Sequence, residues 1–324
     1  MHMFTGVSLP ENPGHDTVYT LLPSASDDAY YRERTNRNIG WITETEQQIL
    51  RDSVIGIAGC GGMGGLLASL FCRMGIGEVR VADSEVFDLS NVNRQFGASR
   101  TSIGRSKALE TARLTRAICD DNTLMVFPQG ITEESAQDFA QGCHIILDEI
   151  EFWAVGSRIL LHQAARSFGA SLLNCNAVGF GSRLFRFDPE GFTMEELLDL
   201  SYEDAKVLQE RIQSGTASTE EVTLVMERMF RGLVPELPEY ASEDAGYSTV
   251  SAVRTRLLTE QRASIVSSTP LLASGFLATH TVFELLSKST IPRVYQRPPA
   301  APGYLIIDAG FHEARVVHRK GSDL

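Results

Sequence analysis

Cysteine is scarce and scattered. The five thiols, Cys60, Cys72, Cys119, Cys143 and Cys175, are odd in number and include no C-x-x-C pair. Neither a zinc knuckle nor a disulfide framework is suggested, so five reduced thiols in a cytosolic protein are expected, with no zinc. Basic charge is also in deficit: 29 lysines and arginines face 41 acids, a net charge of −12. Such a chain repels a phosphate backbone, which argues against a nucleic-acid partner. Long apolar runs are missing too. The strongest, "PLLASGFLATHTVFELLSK" (270–288), is short for a membrane span, carries Glu284 and reads as a buried helix. The opening "MHMFTGVSLPENPGHD" lacks the basic and apolar regions of a secretory signal. A cytoplasmic address without membrane contact is therefore expected.

What is present is an ordinary globular composition, 43% hydrophobic and 22% charged. Thr43 and Glu46 in "WITETEQQILRDS" form a capping box that starts a short helix. "VIGIA" (54–58) then has the apolar, β-branched character of a strand buried in a parallel sheet. Leu67, Leu70, Phe71 and Met74 recur at helical spacing, and Gly75 stands where a left-handed residue ends the helix. "VRVAD", "TLMVF", "HIILD" and "SLLNC" are further strands, separated by the helical patterns "GRSKALETARLTRAI" and "VGSRILLHQAARSFG". This alternation predicts an α/β fold with a doubly wound, mostly parallel, Rossmann-like sheet whose ligand lies at the carboxyl ends of the strands. Four stretches follow: an N-terminal arm (1–36) with "TVYTLL" as its one strand-like island, a core (37–188), a helical insertion (189–265), and a C-terminal completion (266–324) ending in the hairpin "YLIID" and "ARVVH".

Between the first core strand and its helix lies "GIAGCGGMGG". Gly59, Gly61 and Gly64 satisfy G-x-G-x-x-G, a turn that lays backbone N–H groups against phosphate and by itself points to NAD. Gly62 makes the string equally G-x-G-G-x-G. Asp83 ends the second core strand, where an acid binds ribose hydroxyls of either NAD or ATP. The discriminating stretch is "SNVNRQFGASRTSIGRSKA" (90–108). A nicotinamide half needs small residues here, whereas Asn93, Arg94, Gln95 and Lys107 are able to bond phosphoryl oxygens and stabilise charge during phosphoryl or nucleotidyl transfer. The turn is therefore read as an ATP site.

"GCGGMG", Asp83, "SNVNRQ", Lys107 and Asp148 occur in the order and approximate spacing of the E1-like adenylating enzymes, the ThiF, MoeB and ubiquitin-activating group. The resemblance runs from about Arg37 to Phe187 and resumes at Pro270. It implies a homodimer that adenylates the C-terminal carboxylate of a small protein or peptide with ATP and magnesium. It further implies that Asp83 holds the ribose, that Arg94, Gln95 and Lys107 hold the phosphates, and that Asp148 approaches magnesium. Arg37 in "RTNRNIG" resembles the arginine that such enzymes insert into the partner's site. Two departures stand out: Arg105 replaces the first basic residue of G-K-x-K, and "EIE" follows Asp148 in place of T-D-N.

The expected acceptor is the C terminus of a ubiquitin-like or sulfur-carrier protein. A peptide-modifying relative from natural-product biosynthesis, a relative that dehydrates a modified tRNA adenosine, and a non-catalytic binding subunit are the alternatives. An NAD-dependent oxidoreductase stands last. Cys175, in "LLNCNAVGFG", lies at a strand end where a thioester is conceivable, but a small buried residue is the better expectation, as for Cys60. No cysteine follows Cys175, and His144 and His162 show no ligand spacing.

Overall fold

The computed structural model describes residues 2–4, 9–11, 13–14, 17–24, 28–238, 240, 249–260, 262–287, 289 and 295–323. Its centre is a five-stranded parallel sheet built from β3 (Val54–Ala58), β4 (Glu78–Ala82), β5 (Thr123–Phe127), β6 (Ile145–Asp148) and β7 (Ser171–Val178). Their spatial order is β5-β4-β3-β6-β7, with Ala58 beside both Ala82 and Asp148. The chain winds outward from β3 through β4 to β5, then crosses back to begin β6 on the other side. A crevice opens at this reversal, at the carboxyl ends of β3 and β6.

Two short strands from the N-terminal arm, β1 (His2–Phe4) and β2 (Tyr19–Leu21), extend one edge, with β2 antiparallel to β5. The arm therefore carries a strand beyond the expected "TVYTLL" island. Three residues cannot show a period, and it is the pairing to β2 that makes His2–Phe4 a strand. At the other edge β8 (Gly181–Phe187), β9 (Tyr304–Asp308) and β10 (Glu313–Val317) continue antiparallel, the last two forming the expected hairpin.

Local chemistry sets the helices. Following α1 (Asp28–Thr35), α2 (Glu44–Arg51) begins with the capping box: Thr43 accepts from the Glu46 N–H at 3.1 Å while Glu46 accepts from the Thr43 N–H at 2.8 Å. α3 (Gly64–Met74) ends at Gly75 with φ +92°, where a side chain would strain the backbone. The next helices are α4 (Lys107–Ile118), α5 (Ala136–Ala140) and α6 (Val155–Ser167). The segment from 189 onward folds as α7 (Met194–Leu198), α8 (Tyr202–Gln213), α9 (Thr219–Leu233) and α10 (Thr249–Glu260), and α11 (Ser268–Leu286) follows.

Two apolar layers cover the sheet. On one face Leu67 and Phe71 of α3, Leu109 of α4 and Ala273 and Leu277 of α11 pack with Ile55, Ile57 and Leu147. On the other, Ile159 of α6 joins Leu197, Leu198, Val225, Met226 and Met229 of the insertion in the same cluster as Phe185 and Ile306. α11 is thus a packed helix with Glu284 paired to Arg297 Nε at 2.7 Å, and no helix among the described residues is long and apolar enough to cross a membrane. One expectation fails. Cys72 of α3 is joined to Cys119 at the end of α4, with Cα atoms 6.5 Å apart, so those two are not free thiols. The sequence separation of 47 residues conceals a contact that arises because α3 and α4 lie side by side.

Since the insertion shares its core with the sheet, Leu197→Ala, at a fully buried position, is expected to cost about 2–5 kcal/mol. Urea unfolding followed by far-UV circular dichroism should show one shifted cooperative transition. Separate melting of an insertion unit would contradict the shared core.

Candidate active site

The turn after β3 is shaped by two steric limits. Gly59 has φ +104°, and a Cβ there would stand 2.1 Å from the carbonyl oxygen of Glu149. A Cβ on Gly64 would stand 1.8 Å from the oxygen of Gly59. Only glycine lets the turn fold this tightly against the end of β6 and deliver the N-terminus of α3 to the crevice. The crevice is a cavity of about 820 Å³, lined by Gly59, Gly61, Gly62, Gly64, Asp83, Asn93, Arg94, Gln95 and Lys107 among others. Every residue expected from sequence to touch the nucleotide therefore faces one space.

Asp83, at the end of β4, accepts hydrogen bonds from the N–H of Cys60 at 2.6 Å and of Glu85 at 2.8 Å. Burial nevertheless raises its carboxyl above the usual value, against the lowering effect of Lys107 and those two bonds. Lys107 opens α4, buried along its stem, with Nζ 2.6 Å from Glu85, whose side chain is 54% exposed. Arg94 follows the 3-10 turn Leu89–Asn93 and donates to the Ser90 carbonyl and to Asn93 Oδ1, each at 3.0 Å. Gln95 is buried and its Oε1 has no partner.

Asp148 is placed differently from the sequence expectation. Its side chain is fully buried and lies off the cavity wall. Oδ2 receives Arg158 Nε at 2.8 Å and lies 3.2 Å from His162 Nε2, while Oδ1 accepts from the Ile150 N–H at 3.2 Å. Burial is the largest single influence on the Asp148 carboxyl and raises it, but the Arg158 charge and the His162 and Arg158 hydrogen bonds together hold it below its ordinary value. Both oxygens are thus engaged within the fold, and the side chain does not line the cavity where a metal ion would meet the phosphates. Two of the acids that reach the cavity lie in the "EIE" that follows Asp148: Glu149, whose Oε1 has no partner, and Glu151. Burial pushes the Glu149 carboxyl well up, and confinement within the cavity takes Glu151 up to about 7. Their departure from T-D-N was the only sequence signal for them.

Arg37 is exposed in the 3-10 turn Asn36–Asn38 and does not line this cavity. Cys175 does, but it is buried, and burial together with Glu149 drives its thiol far up, leaving little thiolate. Cys60 is likewise buried and raised. His144 accepts from the Val54 N–H at 3.0 Å and His162 serves Asp148, so both are structural. Arg158, Arg256 and Arg262 also face the cavity and were not expected from the sequence. None belongs to a spaced motif.

Comparison with known proteins follows this geometry. The sequence profile of the ThiF family matches residues 35–320. The chain is similar to the sulfur carrier protein ThiS adenylyltransferase of Escherichia coli K12, 29% identical over 143 residues that are 44% of this chain and 56% of that protein. Across the first curated relatives it matches, it spans 40 to 56% of their length. Among solved structures it resembles PaaA, with a TM-score of 0.59 and 15% identity over 90% of this chain and 75% of that one. It also resembles E. coli MccB crystallised with ATP, with a TM-score of 0.57 and 12% identity over 91% and 73% of the two chains. These two likenesses concern the fold.

Asp148→Ala would leave the Arg158 guanidinium buried without its carboxylate. A loss of about 3–5 kcal/mol in stability is expected, read as a lower urea midpoint. Lys107→Ala, which frees the half-exposed Glu85 and removes a cation that favours the buried Asp83 carboxylate, should lower the midpoint by less than Asp148→Ala does. Equal midpoints for both variants would show that the Asp148 pair does not hold the fold.

Proposed function

Since the chain belongs to the ThiF family, we propose that it is an ATP-dependent adenylyltransferase. A carboxylate oxygen attacks the α-phosphorus, the α–β phosphoanhydride bond breaks, and an acyl adenylate and pyrophosphate are formed. The acceptor is the C terminus of a small carrier protein or the carboxylate of a peptide. One observation carries this reading: the tight glycine turn, Asp83, Arg94 and Lys107 line a single cavity at the reversal point of the sheet. An acid suited to ribose at one wall and cations suited to phosphates at another match a nucleoside triphosphate.

The chemistry asks little of a base, because a terminal carboxylate has a pKa of roughly 3.5 and is already anionic at neutral pH. The barrier lies in bringing two anions together and in the charge that gathers on departing pyrophosphate. Lys107 is held ready by Glu85, and Arg94 by the Ser90 carbonyl, so both ammonium and guanidinium are oriented before the nucleotide arrives. Glu149 and Glu151 put carboxylate oxygens on the cavity wall, where they would hold a magnesium ion once ionised; when bound, the ion would neutralise phosphoryl charge. No protein thiol is used as a nucleophile in this scheme, in keeping with the burial of Cys175.

Assembly is proposed as a homodimer. Arg37 is exposed and remote from its own cavity wall, while Trp41 is 85% and Leu89 74% exposed, apolar surface of the kind a second copy covers. Arg37 would then complete the partner's site in trans.

Exchange of labelled pyrophosphate into ATP, run against a panel of glycine-ended carriers and short peptides, tests the proposal. Lys107→Ala is expected to lower exchange by about 10²–10³-fold. Mixing Arg37→Ala with Lys107→Ala protein should restore part of the activity, because mixed dimers rebuild one intact site. Unchanged exchange in Lys107→Ala, or no exchange with any acceptor, would overturn the adenylyltransferase reading; no recovery on mixing would remove the trans role.

A further inference from the structure

The segment that leads from α10 into α11 forms a wall of the cavity and is fastened to its rim at several points. Asn93 Nδ2 donates to the Ile265 carbonyl at 3.2 Å. Thr269 Oγ1 donates to the Gly179 carbonyl at 2.7 Å, and Pro270 packs over Gly62, with Cγ 3.3 Å from where a Cβ would stand. Asn93, expected to bond phosphate, thus holds this strap against the nucleotide corner. At the start of the strap Arg262 is exposed and faces the cavity.

The charges around the cavity are not equivalent. Lys107 is paired with Glu85 at 2.6 Å, Arg158 with Asp148 at 2.8 Å, and Arg256 with Glu260 at 3.2 Å. Among the described residues Arg94 and Arg262 are the cavity cations with no carboxylate at ion-pair distance. Both line the same cavity. Arg94 is held below its ordinary value first by burial and then by the Arg262 charge, against opposing help from Asp88 and Glu85. Arg262 likewise contributes, after the Ser90 and Asn91 bonds, to lowering Asp88. Asp88 acts on both groups from beyond ion-pair distance, so each guanidinium keeps hydrogen-bond donors open to the cavity, and an anion bound there would gain charge-assisted hydrogen bonds from both.

We propose that Arg262, carried by the strap after α10, is a second cis cation for the nucleotide, binding with Arg94 the β- and γ-phosphates that leave as pyrophosphate. This rests on the reading of the cavity as an ATP site and extends it. The helical insertion then contributes directly to the phosphate end of the site, and nucleotides lacking those phosphates do not engage it. Occupancy by triphosphate is coupled to the position of the strap through Arg262 and through the Asn93 to Ile265 bond, so the insertion distinguishes ATP from AMP.

Isothermal titration of the full chain with ATP, ADP and AMP, in the presence of magnesium, tests the assignment. Arg262→Ala is expected to weaken ATP and ADP by about 10- to 100-fold, the range for a lost hydrogen bond to a charged group, and to leave AMP within about 2-fold. Arg262→Lys should recover part of the loss, and Arg94→Ala combined with Arg262→Ala should be non-additive, because both act on one anion. Arg262 is exposed, so the circular dichroism melt of Arg262→Ala should match the parent. Equal weakening of ATP and AMP, or unchanged ATP binding in Arg262→Ala, overturns the role of Arg262 while leaving the ATP site standing. Failure of the unaltered protein to bind ATP overturns both.

Discussion

No side chain fits at Gly59. The turn after β3 passes so close to the carbonyl of Glu149, 2.1 Å from an added Cβ, that the ends of β3 and β6 meet across bare backbone. That approach opens the crevice on one side, aims the first turn of α3 into it, and fixes where the residues after β4 and β6 emerge. Asp83 is then bound by the N–H of the very next residue, Cys60, which ties the acid to the turn. Everything else at the site is built around this contact.

Partner choice then decides what each charge does. Asp148 and Lys107 are both buried ionisable groups beside the crevice, but Asp148 is satisfied by Arg158 within the fold, whereas Lys107 is held by an acid that is half in solvent. Breaking the first pair would leave a buried charge uncompensated, so it holds structure. The second can exchange its carboxylate for another anion at little cost. Arg94 and Arg262 have no carboxylate at ion-pair distance among the described residues, which sets them apart from the other cavity cations.

The helical insertion is more than a cover. Its α7 and α9 share one apolar layer with α6, and its last segment supplies a wall of the cavity. Phe230, Leu237 and Leu257 add apolar lining to the cavity that also holds the charged groups.

Much of this was legible in the residues alone, wherever the determining force is short-range. The capping box at Thr43 and Glu46, the left-handed Gly75 and the alternation of strands and helices follow from neighbours within a few positions, and each is found as read. The glycine turn with Asp83, Arg94, Gln95 and Lys107 also converged on one cavity, because ordered motifs in a doubly wound sheet arrive at the same edge. Tertiary structure alone decided the rest: that Asp148 spends its oxygens on Arg158 and His162, that Glu149 and Glu151 face the cavity instead, that Cys72 meets Cys119, and that Asn93 reaches Ile265 across 172 residues. Ion pairs and hydrogen bonds between distant segments depend on where whole helices and strands settle, and no local period or spacing encodes which of two nearby carboxylates will find the arginine.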